Sequence, residues 1–126
     1  HDLSDGGLGV ALAEMAIGGG LGATIDLAKV PFHDLKETLK HDDLISLLKV
    51  AFAETPGRFL IEVHEQDAAA VESILGSIPW SWIGNVTEDN VLTICCGDHS
   101  IISQTSVVTL ANAWRKQSNS QTLGTN

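Results

Sequence analysis

His1-Asp2-Leu3-Ser4-Asp5-Gly6-Gly7-Leu8, followed by Gly9-Val10-Ala11-Leu12-Ala13-Glu14-Met15-Ala16, carries most of the information in this chain. Leu8, Ala11, Leu12 and Met15 repeat at i, i+3, i+4 and i+7, which predicts a helix turning one apolar stripe to a core. Ser4 or Asp5 is the natural N-cap of that helix. Gly6 and Gly7 fall in its first turn, where helix propensity is poor but another group can approach closely. The free N–H groups and positive dipole end of such a turn suit an anion, phosphate above all. Asp2, two residues before Ser4, adds a carboxylate that can hold a hard cation beside that phosphate. A capped helix start with no ligand is the competing reading.

Outward from this helix, Gly18-Gly19-Gly20 ends it, and Gly22 precedes a short strand, Ala23-Thr24-Ile25-Asp26-Leu27. Residues 33–40 read as one or two amphipathic turns with Leu35 and Leu39 inward. Asp42 or Asp43 caps a second helix with the apolar stripe Leu44, Leu47, Leu48, Ala51 and Phe52. Pro56-Gly57 turns the chain into an alternating strand, Phe59-Leu60-Ile61-Glu62-Val63, and a third helix covers 66–75. Residues 82–86, 91–96 and 99–103 read as three short strands joined by Glu88-Asp89-Asn90 and Gly97-Asp98 turns, which predict a meander. This succession predicts an α+β fold, a layered α/β sandwich with a mixed sheet. Residues 1–116 read as one domain, and 117–126 as a disordered tail without pattern.

The chain has 126 residues, and 44% hydrophobic content is ample for a core. It begins in mid-motif with His rather than Met, so it reads as a piece of a longer polypeptide. Sixteen acidic against seven basic residues, a net charge of −9, argue against nucleic acid and anionic membranes as partners. No apolar run approaches the roughly 18 residues of a membrane span, and no signal pattern is visible. Cys95 and Cys96 are adjacent in a strand and form neither a zinc spacing nor a redox CxxC. A reduced, cytoplasmic setting fits.

Other candidates carry less. His-Asp recurs at His33-Asp34 and His41-Asp42, where a solvated linker and a helix cap outweigh a metal role. His64-Glu65 begins a loop, and His99 beside Asp98 has no partner at a useful spacing. Glu54 lies where a helix yields to a turn, with Arg58 four residues on; an internal ion pair is the plain account, and a ligand contact the functional one. Trp80, Trp82 and Trp114 read as core or interface. No self-sufficient catalytic constellation or Walker motif is present.

The string HDLSDGGL with GVALAEMA resembles the start of the last synthetase-core domain in the phosphoribosylformylglycinamidine synthase family, the formylglycinamide ribonucleotide amidotransferases of purine biosynthesis. Phe52-Ala53-Glu54-Thr55-Pro56-Gly57-Arg58-Phe59 resembles the family's second landmark, a helix end and a Ser/Ala-Glu-x-x-x-Arg turn before a buried strand. That stretch is closer to the small-subunit enzymes. Gln104-Thr105-Ser106 with Val107, Leu110, Ala111 and Trp114 is similar to the closing helix of the large fused ones, so both classes of parent stay open.

The resemblance covers residues 1–115 and implies an aminoimidazole ribonucleotide synthase C-terminal-domain-like fold. It implies a ligase that converts formylglycinamide ribonucleotide to the amidine with ATP, Mg²⁺ and glutamine-derived ammonia. Its partners would be the other domains of the same enzyme and a glutaminase domain or subunit. It also implies Asp2 as a metal ligand and Ser4, Gly6 and Gly7 at a nucleotide (ATP, or ADP at an auxiliary site), with His1 and Glu54 as candidate ligand contacts. The family's catalytic histidine lies in partner domains, so this segment supplies no catalytic residue and is inactive alone. Two alternatives remain. One is a domain of another ATP-dependent synthase or kinase of the same superfamily; the other is a purely structural docking domain. As a piece of a larger enzyme the chain is expected to expose an apolar face near Asp2, Ser4, Gly6 and Gly7 that a partner domain covers.

Overall fold

The computed structural model describes residues 1–31, 44–97 and 100–121. Along them run α1 (Gly7–Gly19), β1 (Gly22–Asp26), α2 (Leu44–Phe52), α3 (Ala68–Leu75), β2 (Gly84–Thr87), β3 (Val91–Cys96), β4 (Ser100–Ser106) and α4 (Val107–Gln121). Single 3₁₀ turns occupy Leu27–Lys29 and Glu65–Asp67. The fold is α+β with a mixed sheet, as the alternation of periods predicts. The turns expected over 33–40, and His33, Asp34, His41, Asp42, Asp98 and His99, lie outside the described residues.

The chain forms two compact units, His1–Ala11 with Leu27–Ile83 and Leu12–Asp26 with Gly84–Asn126. In the first, Leu3, Leu8, Ala11, Leu27, Val30, Val50 and Ala51 are buried. The burial of Leu8 and Ala11 follows the stripe read from sequence. The stripe of α2 does not. Val50, Ala51 and Ser46 are buried, while Leu48 and Phe52 from the expected stripe are exposed. Ser46 and Lys49 mark a polar side of LISLLKVAF, yet Ser46 is buried; the close approach of α1 at Gly7 and Gly9 and the Leu27–Lys29 turn choose the buried face, and periodicity does not.

The expected strand over 59–63 is a second correction. Its pairing is confined to the start of the chain: Asp2 and Phe59 form an isolated antiparallel bridge, Leu3 N donates to Arg58 O at 3.1 Å, and Leu60 N donates to His1 O at 2.8 Å. Residues 61–63 form no strand, and Phe59 and Ile61 are exposed. Alternation supplies one apolar face, but a strand also needs a neighbour for its N–H and C=O groups, which sequence alone does not reveal. The third helix starts later than expected, at Ala68, and buries none of its residues.

In the second unit the sheet order is β2-β1-β3-β4, which replaces the expected meander. β1 enters between β2 and β3, antiparallel to β2 and parallel to β3; β3 and β4 form an antiparallel pair. Two glycines permit the insertion. A Cβ on Gly84 would lie 2.0 Å from Thr24 O, and one on Gly22 would lie 2.4 Å from both Val91 O and Asp89 Oδ1. Those distances leave no room for any side chain. Ala23, Ile25 and Leu92 are buried on one face of the sheet, and Cys95, Leu12, Ala16 and Val107 are buried as well. Asn90 takes a left-handed φ of 55° in the link from β2 to β3, and its carbonyl accepts from Val107 N at the start of α4. That helix continues to Gln121, past the boundary read at residue 116; residues 122–126 lie outside the description.

Candidate functional site

The two landmark stretches, 1–8 and 52–59, meet in the first unit. Gly6 and Gly7 have φ of +74° and +64°, a left-handed backbone in which glycine is unstrained. Gly7 is also pressed on the end of α2: a Cβ there would lie 2.8 Å from Phe52 C and 2.9 Å from Ala53 O. At Gly9 the obstacle is the Phe52 ring, 2.7 Å from the position a Cβ would take. Gly7 therefore serves close backbone packing, while a Cβ on Gly6 would meet the Val10 side chain. That packing brings the turn after α2 alongside the start of α1.

His1, Asp2 and Ser4 are exposed on the segment leading into this turn. Ser4 gives its hydroxyl to Asp2 Oδ2 at 2.6 Å, so Ser4 orients a carboxylate and does not cap the helix. His1 Nδ1 lies 2.5 Å from the Asp2 carbonyl oxygen and 3.7 Å from Asp2 Oδ1. Asp2 thus presents an anionic oxygen held by one hydroxyl and flanked by an imidazole. Such a group fits Mg²⁺, which prefers hard oxygens and takes most of its ligands from phosphate and water. Among the described residues no group of three or more His, Cys, Asp or Glu gathers around a common point, so Asp2 would be a single ligand.

Glu54 is not where the plain account puts it. Its Oε1 accepts from Gly6 N at 2.8 Å, across 48 residues of sequence. The N–H that sequence reading reserves for a phosphate already has a carboxylate on it. Arg58, half-buried, donates from Nη1 to Ala53 O at 3.3 Å and closes the Ala53–Arg58 turn. Partial burial lowers the Arg58 pKa from its usual value, and a guanidinium remains a cation even so. Exposed Phe52 and Phe59 stand at the two ends of the 52–59 stretch. No short-range signal in the sequence marks the Gly6–Glu54 bond; the first turn of α1 simply lacks an acidic residue to supply one.

The remaining candidates stay apart from this corner in character. Trp80 and Trp82 pack edge to face at 5.7 Å, and Trp82 Nε1 donates to Glu72 Oε1 at 2.7 Å. Cys95 is buried with its thiol on Ile25 O at 3.3 Å, which makes it a core residue. His64 precedes the Glu65–Asp67 turn without a side-chain cap. In the second unit, Glu14, Ile17, Gly18 and Trp114 line a mostly apolar hollow of about 260 Å³ that holds none of the residues read as nucleotide or metal contacts.

Residues 1–96 match the family described as AIR synthase related protein, C-terminal domain. Among curated proteins the chain is similar to phosphoribosylformylglycinamidine synthase subunit PurL from Thermococcus sibiricus, 37% identical over 73% of this chain and 11% of that protein. It is similar also to the same subunit from Lactobacillus helveticus, 34% identical over 92% of this chain and 13% of that one. Among solved structures, Thermotoga maritima PurL complexed with ATP superposes with a TM-score of 0.71 at 22% identity, covering 88% of this chain and 18% of that one. The same protein complexed with FGAR gives a TM-score of 0.71 at 21% identity, over 88% of this chain and 17% of that one. The chain thus spans well under a fifth of these curated relatives.

Proposed function

The chain belongs to the AIR synthase related C-terminal domain family, and from that premise we propose that it is the corresponding domain of a phosphoribosylformylglycinamidine synthase, contributing a Mg-nucleotide-binding corner. The whole ligase would convert formylglycinamide ribonucleotide to the amidine: ATP phosphorylates the amide oxygen, and glutamine-derived ammonia displaces the phosphate. The ammonia would come from a glutaminase domain or subunit, in a cytoplasmic setting. In this reading the groups that make and break those bonds lie in the enzyme's other domains. Bound Mg²⁺ would offset the charge of nucleotide phosphates (ATP, or ADP at an auxiliary site).

Asp2 would ligate the metal, and Ser4 holds its carboxylate in place at 2.6 Å while standing beside the nucleotide. Gly6 and Gly7 would admit the nucleotide close to the backbone, with the Gly6 N–H given to Glu54. His1 would adjust the Asp2 carboxylate from 3.7 Å. The observation that carries this reading is the exposed Asp2–Ser4 pair on a segment anchored to Arg58 and Leu60 by backbone hydrogen bonds. Support for nucleotide as the ligand comes from the Thermotoga maritima relative, whose structures are described as complexes with ATP and with ADP.

The test is titration of Mg-ADP into the full-length enzyme that carries this chain, with and without Asp2→Asn. The substitution keeps the shape and removes an ionic ligand, so affinity should fall by about 1–3 kcal/mol, in the range for losing a bond to a charged group. Unchanged affinity, with unchanged thermal stabilisation by Mg-ADP, would leave Asp2 an ordinary residue ahead of a helix.

A further inference from the structure

We infer that Glu54 is a positioning residue for this corner: by holding the Gly6 N–H it fixes the Asp2–Ser4 segment, and it does so without touching the ligand. This rests on the Mg-nucleotide reading of Asp2 and Ser4 given above. The segment is tied at both ends to one turn. At its start, Leu3 N donates to Arg58 O and Leu60 N to His1 O, at 3.1 and 2.8 Å. At its end, Gly6 N donates to Glu54 Oε1 at 2.8 Å. The turn itself is closed by Arg58 Nη1 on Ala53 O. Between the two anchors, Ser4 and Asp5 are exposed and have no burial to hold them.

A helix start usually finds such an acceptor within its own first turn, where a Glu reaches back to the N–H ahead of the helix. Helix α1 has no acidic residue there. The position is unavailable for a local solution at Gly9, because the Phe52 ring occupies the space its side chain would need. Glu54, two residues beyond the end of α2, supplies the acceptor from outside. The same packing of Gly7 on Phe52 and Ala53 delivers it.

A carboxylate at this spot is a poor direct contact for a nucleotide phosphate, since like charges repel. What the corner needs from Glu54 is the acceptor oxygen and its placement. Glu54→Gln keeps that oxygen and loses the charge; Glu54→Ala loses both.

In the full-length enzyme, Glu54→Ala should weaken Mg-ADP binding about tenfold, in keeping with loss of a charge-assisted hydrogen bond. It should also speed deuterium uptake at the Gly6 amide by a similar factor. Glu54→Gln should restore both to within about twofold of the parent, a rescue expected when the acceptor oxygen survives. Equal loss of affinity in the Gln and Ala variants would overturn the inference in favour of a direct ligand contact. Unchanged Gly6 exchange in Glu54→Ala would also overturn it. Should Asp2→Asn leave Mg-ADP binding unmoved, the nucleotide reading fails, and Gly6 exchange in the two Glu54 variants decides the clamp by itself.

Discussion

The four-stranded sheet and the Asp2 corner are held together by different means. The sheet is a ladder. β1 is hydrogen-bonded on both sides, along four residues toward β2 and four toward β3, so many bonds share the load. The corner has three main-chain bonds to the 58–60 segment (Leu3 N to Arg58 O, Leu60 N to His1 O and His1 N to Leu60 O) and one side-chain bond to Glu54. Redundancy makes the sheet a matter of stability. Sparseness makes the corner a matter of geometry, where one lost bond is expected to move the Asp2–Ser4 segment while the domain stays folded. Sites built on low-redundancy segments are also those that open locally at small cost.

The sharpest way to break that comparison is to attack the sheet where redundancy cannot help. Gly84→Ala puts a Cβ 2.0 Å from Thr24 O, a backbone atom that cannot rotate away. Either β2 leaves β1 or the strands separate, and the expected loss is about 3–5 kcal/mol, at the upper end for single substitutions. Chemical denaturation measures it. A loss below about 1 kcal/mol would mean that β2 is dispensable to the sheet.

Gly7→Ala tests the corner by the same logic with a smaller effect. Its φ of +64° costs an alanine about 1–2 kcal/mol, and the backbone at Phe52 and Ala53 adds to that. Gly57 is the control. Its φ is +79°, yet nothing lies within 4 Å of its missing Cβ. Gly57→Ala should therefore show the conformational cost alone, about 1 kcal/mol. Equal losses in the two variants would mean that close packing of α1 on α2 adds nothing to the corner.

How much of this was legible beforehand follows the same division. The face of α1 in the first unit was readable, because Leu8 and Ala11 encode it locally. β1 and β3 were readable from short apolar runs between turn residues. Strand order was not, since nothing local says that Ala23-Thr24-Ile25 inserts between residues 84–87 and 91–96. Gly22 and Gly84 were the only local traces of it, and a glycine in a strand has several meanings. In the corner, the residue types were readable and their wiring was not. Asp2, Ser4 and the glycines stood out, but the acceptor for Gly6 lies 48 residues away. The 59–63 segment misled because alternation encodes a face and not a partner.

The smallest effect tests whether the link across β1 resembles the ladder or the corner. Asp89 accepts from the Thr87 hydroxyl at 2.7 Å and from Val91 N at 3.1 Å, and its Oδ1 sits over Gly22. The Thr87 bond, and after it the Val91 N–H, holds the carboxyl below the usual Asp range. A carboxylate whose folded pKa is depressed adds stability that is fully present above its unfolded pKa, near 3.9, and is lost as pH falls through the folded value. Asp89→Asn keeps the shape and one acceptor oxygen but cannot titrate. The thermal midpoint of the parent should therefore exceed that of Asp89→Asn by a constant margin above about pH 5, and the margin should shrink as pH drops below about 4. Because the carboxyl is fully exposed, solvent screening keeps that margin small. Parallel profiles down to the lowest pH would show that the bracket around Gly22 depends on hydrogen-bond geometry alone, and that its charge contributes nothing to the order of the strands.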